Sequence, residues 1–160
     1  MRCSISILVV AFAGFSSAGA QQPTTRDTRA MEDTLQQFAI RVERAMQLAN
    51  ADSILTLYGR PDVFVNIEDG EPVPHARMEQ EIRDYASDVA SSPVRWLERP
   101  VVIVLNRDAA VLYGRHRFEG LPGIPAHTGI WTAVLQRIDG QWRIVHAHGS
   151  DVPEPVSGRE

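Results

Sequence analysis

Asp139-Gly140, set between two apolar-rich runs, is the feature that most restricts how this chain can fold. Gly supplies the positive φ that tight hairpin turns require, so 127–138 and 141–149 are predicted as adjacent antiparallel strands. Loop length then decides which side chains share a face, because strand side chains alternate with a period of two. A two-residue turn pairs Ile138 with Gln141 and puts Trp131, Ala133 and Leu135 on one face with Ile144, His146 and His148. A three-residue loop, with Gly140 left-handed in a bulge, slips the pairing by one. Trp131, Ala133 and Leu135 then join Val145 and Ala147, and His146 and His148 move to the other face with Ile130 and Thr132. The second register is the expected one, since it gathers an apolar, small-residue surface for the interior.

Upstream, apolar residues at Leu35, Phe38, Ala39, Val42, Ala45, Met46 and Ala49 recur every three or four positions, which predicts one amphipathic helix over 31–49. Asp52 is placed to N-cap a short second helix, 53–58, broken by Gly59-Arg-Pro61. Residues 63–67 read as a strand. After the prolines of 71–74, a stripe of Met78, Ile82, Tyr85 and Val89 predicts a third helix over 75–89. Beyond Ser91-Ser-Pro93 the pattern is strands: 94–105, 109–119, 127–138 and 141–149. Helices followed by an antiparallel meander make an α+β order, with helices covering one sheet face.

The first twenty residues read as a signal peptide. Arg2 supplies the positive start, Ile5 to Phe15 the apolar run, and Ala18-Gly19-Ala20 a small-x-small cleavage site. That run is far below the roughly 20 residues needed to span a bilayer, so no membrane span is expected after cleavage. The expected compartment is periplasmic or extracellular. Residues 21–30 read as a flexible leader, 31–151 as the domain and 152–160 as a disordered tail. The net charge of −4 becomes −5 without Arg2, and no basic run is present, which argues against a nucleic-acid partner. Cys3 is the sole cysteine and lies in the predicted signal peptide. Every one of the 16 basic residues is Arg. Thiolate and Schiff-base chemistry are thereby excluded from the mature chain, leaving His, carboxylates, Tyr and water.

Trp142-Arg-Ile-Val-His-Ala-His-Gly-Ser150 resembles the closing strand of SnoaL-like proteins of the nuclear transport factor 2-like superfamily, to which the association domain of calcium/calmodulin-dependent kinase II also belongs. Residues 51–66 resemble the same family's short helix and first strand. The resemblance covers about 31–151. It implies a strongly curved, mixed sheet wrapped as a cone around about three N-terminal helices, with a cavity at the wide end. It also implies dimerisation through the outer sheet face. It does not imply a reaction, because the scaffold hosts enzymes, binding modules and assembly domains.

The expected cavity wall consists of Tyr58, Phe64, Asn66, Tyr85, His116, Trp131 and Ala133. The resemblance places His116 where the kinase association domain carries an inward, anion-binding Arg; the other matching Arg positions look like Ala133 and Gly149, which implies a less cationic cavity. In ketosteroid isomerase-like members a general-base Asp stands near Asn66, and Asn cannot accept a proton, so that chemistry loses its base. Glu68 or Asp69 could replace it from the rim. Trp96 and Trp131 offer apolar surface. His146-x-His148, with His127 as the nearest third donor, has the spacing of a shared metal, but packing or interface roles are expected for both. No metal or cofactor is assigned. The expected function is to bind a small, mostly apolar organic molecule. The alternatives are a cofactor-independent lyase, isomerase or hydrolase using His116, and a homo-oligomeric assembly module.

Overall fold

The computed structural model describes residues 24–88, 94–120 and 125–153. The predicted signal peptide, the predicted tail from 154 onward, the predicted break at 91–93 and most of the predicted loop before Pro125 lie outside the described residues.

Helix α1 runs from Thr25 to Gln47, six residues earlier than the apolar stripe suggests. Thr24 caps it: its hydroxyl accepts from the Asp27 backbone N–H, and the Asp27 carboxylate accepts from the Thr24 backbone N–H. A capping box of this kind satisfies two of the donors that a helix start leaves free, which explains why part of the expected leader is helical. The buried stripe is Leu35, Phe38, Ala39, Val42 and Ala45, as the periodicity predicts. Ala49, at φ 46°, ends the helix in a left-handed conformation. Helix α2, Ala51–Leu55, is capped by Asn50 rather than Asp52: the Asn50 side-chain oxygen accepts from the Ser53 N–H at 2.8 Å. Helix α3 spans His75–Asp88 and buries Met78.

The strands are β1 Val65–Glu68, β2 Glu71–Val73, β3 Val94–Trp96, β4 Val101–Val104, β5 Ala109–Phe118, β6 His127–Ile138 and β7 Gln141–Pro153. They form one mixed, open, curved sheet in the order β2-β1-β7-β6-β5-β3, with β4 also paired to β5. The β1–β7 pair is parallel and the others antiparallel. The expected strand over 94–105 is thus two short strands, both pairing with β5. β2 arises where two prolines argued for a loop, and it is an edge strand, where Pro is tolerated. The inner sheet face and the helices share one core. Its largest fully buried members are Leu35, Phe38, Ile54, Leu112, Leu135 and Ile144. This is the α+β cone that the element order and the closing strand led us to expect.

The β6–β7 hairpin corrects the expected register in an instructive way. Ile138 pairs with Gln141, and Asp139 and Gly140 both have positive φ, 50° and 76°, so the turn is the two-residue kind. The slip comes later: Val134 pairs with His146 but Leu135 with Ile144, leaving Val145 as the extra residue of a β-bulge. Near the turn, Leu135 therefore shares the inner face with Ile144. Beyond the bulge, Ala133 pairs with Ala147 and Trp131 with Gly149, while His146 and His148 sit on the outer face opposite Val134 and Thr132. The expected face for the two histidines holds, but a bulge rather than the turn puts them there. Gly140→Val should lower stability by roughly 1–3 kcal/mol, because a β-branched residue is strained at positive φ. Urea denaturation measures it.

Candidate functional site

At the wide end of the cone a cavity of about 380 Å³ opens between α1–α3 and the inner sheet face. An adjoining chamber of about 160 Å³ lies under Val42, Trp96 and Trp131. Met46, Tyr58, His116 and Trp131 line both. The larger space is polar at its mouth, where Asn66, Glu68, Asp69, Glu81 and Asp151 stand, and the smaller is mostly apolar.

The sheet register explains why room exists here. Successive inner-face rows across β5, β6 and β7 are Leu112–Ala133–Ala147, Gly114–Trp131–Gly149 and His116–Gly129–Asp151. Large and small residues alternate from row to row, so Trp131 spreads over two flanking glycines. The Trp96 ring lies 6.0 Å from that of Trp131, over Gly114, where a Cβ would come within 3.2 Å of it. In the next row the centre is empty of side chain, and His116 and Asp151 lean together over Gly129. Their Nε2 and Oδ1 atoms are 3.4 Å apart. His127, one inner position further along β6, brings its Nε2 to 3.3 Å from Asp151 Oδ2. Its ring stacks on Phe118 at 4.9 Å and meets the His116 ring edge-on at 6.2 Å. Together these three side chains form the one His/Cys/Asp/Glu cluster among the described residues with the compactness of a metal site.

Electrostatics at the mouth are acidic. Hydrogen bonding to His116 holds the Asp151 carboxyl below the usual carboxylate range, with the charges of His127 and His116 acting in the same direction against partial burial. Asn66 is buried at 5% exposure, and its amide donates to Glu68 at 2.8 Å. Glu81 is bridged by Arg77 at 2.7 Å. Burial pushes the Tyr58 hydroxyl up to about 12, with the nearby Glu68 carboxylate a second cause. Tyr58 is therefore a neutral hydrogen-bond donor throughout the physiological range.

Of the expected wall residues, Tyr58, Asn66, Tyr85, His116 and Trp131 do line the larger cavity. Phe64 does not: its ring is buried behind Tyr58, packed edge-on at 5.1 Å, with His75 on another side at 5.7 Å. Ala133 is fully buried in the core, because its row lies deeper in the cone and is filled by Leu112. Among the described residues, His146 and His148 do not converge with a third donor. His146 Nδ1 lies 3.0 Å from the Val65 carbonyl, and His148 Nε2 lies 3.4 Å from the Ser150 hydroxyl. Asp151 lies beyond the strand end expected at Gly149, since β7 continues to Pro153. Carrying the alternation Ala147, Gly149 one step further would have pointed it inward.

No protein-family profile and no curated protein sequence matches the chain. Solved structures do. A nuclear transport factor 2-like superfamily protein from Salmonella enterica is 16% identical over 83% of this chain and 99% of its own, with a TM-score of 0.62. An NTF-2 like protein of unknown function from Shewanella oneidensis is 21% identical over 74% of this chain and 98% of its own, with a TM-score of 0.58. A protein from Xanthomonas campestris named "Putative calcium/calmodulin dependent protein kinase II association domain" is 21% identical over 92% of this chain and 100% of its own, with a TM-score of 0.55. Three helices packed on a mixed, curved sheet, the cavity at its wide end and these likenesses agree: the chain has the nuclear transport factor 2-like fold that its SnoaL-like closing strand implied.

Proposed function

We propose that this is an exported protein that takes up a small, mostly apolar organic molecule bearing one oxygen-containing polar group. The observation that carries the reading is the joined pair of cavities, one mostly apolar and one with a polar mouth, sharing Tyr58, His116 and Trp131. The apolar body would lie between Trp96, Trp131 and Val42, and the polar group would face Tyr58, Asn66 and His116. No arginine lines the larger cavity among the described residues, and Arg95 at the smaller one is paired with Glu119 at 3.3 Å, so an anionic ligand is disfavoured. Export rests on the Arg2 to Ala20 pattern. It predicts a mature N-terminus at Gln21, readable by mass spectrometry of protein from its native host. No helix among the described residues is long and apolar enough to cross a membrane.

Naphthol, an aromatic body with one hydroxyl, is a suitable calorimetric probe. Saturable binding should weaken about tenfold in Trp131→Ala, the loss of one aromatic face. Unchanged affinity in that variant would defeat the reading. A second reading, acid–base turnover by His116, is favoured by its contact with Asp151. It requires turnover that disappears in His116→Ala. Assembly is compatible with both: Ile103, Tyr113 and Ile130 stay exposed on the outer sheet face, where a second copy would pack. Equilibrium sedimentation that finds only monomer would exclude it.

A further inference from the structure

We infer that His116, His127 and Asp151 form a site for a divalent transition-metal ion of the Zn2+ class, open toward the cavity. The inference goes beyond the binding reading above and does not depend on which organic molecule the cavity takes.

Three observations carry it. The first is spacing. His116 Nε2 lies 3.4 Å from Asp151 Oδ1 and His127 Nε2 lies 3.3 Å from Asp151 Oδ2, and one donor atom from each residue can be chosen so that the three lie within 4.8 Å of one another. Bonds of about 2.0–2.1 Å at tetrahedral angles place neighbouring donors about 3.3–3.4 Å apart, so the widest edge must close by up to about 1.4 Å, a movement within reach of side-chain rotation.

The second is the orientation of His127. Its Nδ1 lies 3.2 Å from the Pro125 carbonyl, which can only accept, so Nδ1 carries the proton in that bond. Nε2 of the neutral ring then presents a lone pair to a carboxylate oxygen at 3.3 Å. A lone pair and a carboxylate oxygen aimed at each other across that gap are two donors a cation can join. A carbonyl on the distal nitrogen is also the usual way a ligating His is held.

The third is the room and charge around the cluster. Gly129, paired with both His116 and Asp151, leaves the centre of the row free of side chain. Glu68 and Asp69 line the same mouth, and no arginine does so among the described residues. Asp69 is tied to the cluster's own strand, its carboxylate accepting from the Asp151 backbone N–H at 3.4 Å.

Two imidazoles and one carboxylate leave at least one coordination position for water or for an oxygen of the cavity's ligand, the pattern of an open rather than a closed zinc site. An ion here would occupy His116 Nε2, so His116 would hold the metal instead of carrying a proton. The acid–base reading and the metal reading are therefore mutually exclusive at this nitrogen.

The test uses the untagged chain stripped with EDTA and titrated near neutral pH with Zn2+ by calorimetry and with Co2+ by visible spectroscopy. One equivalent should bind, with the intense d–d bands of a four- or five-coordinate Co2+ ion. Asp151→Asn and His127→Gln should each weaken binding by at least the roughly 10–100-fold that loss of an outer-shell partner costs. His148→Ala, on the opposite sheet face, should bind as the parent does. Should the variants fail to fold, imidazole NMR of the unaltered chain decides. Zn2+ should shift the ring signals of His116 and His127 and leave those of His146 and His148 in place. Absence of stoichiometric binding, affinity indifferent to Asp151→Asn and His127→Gln, or shifts at His146 and His148 instead would each overturn the assignment.

Discussion

Phe38→Ala should lower the unfolding free energy by about 3–5 kcal/mol, the cost of deleting a buried aromatic and leaving a cavity that its neighbours cannot fill. Phe38 is 0% exposed and sits mid-helix in α1, where the helix meets the inner sheet face. Its ring also carries the Arg41 guanidinium at 5.3 Å, so truncation removes that contact as well. Ile40, two residues on and 52% exposed, is the matched control. Ile40→Ala should change stability by no more than about 0.5 kcal/mol, since little apolar surface is lost from the interior. Urea denaturation of the pair tests whether the stripe, and not hydrophobicity alone, anchors α1. A Phe38→Ala change within about 1 kcal/mol of the parent would mean that α1 is not a principal wall of the core.

Gly129→Ala should disrupt the polar cluster more than any other single methyl added to the inner face. A Cβ built there lies 2.6 Å from His116 Cε1 and 2.9 Å from His116 Nε2, and meets Asp151 Oδ1 as well. Side-chain ends can rotate away, so the expected cost is that of overpacking, about 1–3 kcal/mol, rather than loss of the fold. What cannot survive is the His116–Asp151 contact, since both side chains must leave the space over residue 129. Gly149→Ala is the contrast: its nearest neighbour is Trp131 Cδ1 at 3.9 Å, ordinary van der Waals contact. That substitution should be nearly neutral. Imidazole 15N shifts of His116, read beside urea midpoints, would separate the two. A His116 ring unmoved in Gly129→Ala would refute the packing described here.

The element order, the buried stripe of α1 and the inward direction of Trp131 were legible in the chain because each depends on local periodicity. A 3.6-residue stripe buries one helix face, and a period of two assigns strand faces wherever the pairing is regular. Asp139-Gly140 likewise announced its turn through the need for positive φ. His116 was placed inward through the SnoaL-like resemblance and lies there in the structure. Tertiary structure decided the rest. The bulge at Val145 has no local signature, and it alone sends His146 and His148 outward while the turn keeps a two-residue form. Phe64 and Ala133 share the cavity's face but not its depth, and depth depends on what the helices cover. The His116–His127–Asp151 cluster joins three strands across Gly129. Residues so far apart in sequence meet only once the register of both strand pairs is set, and register is a property of the whole sheet.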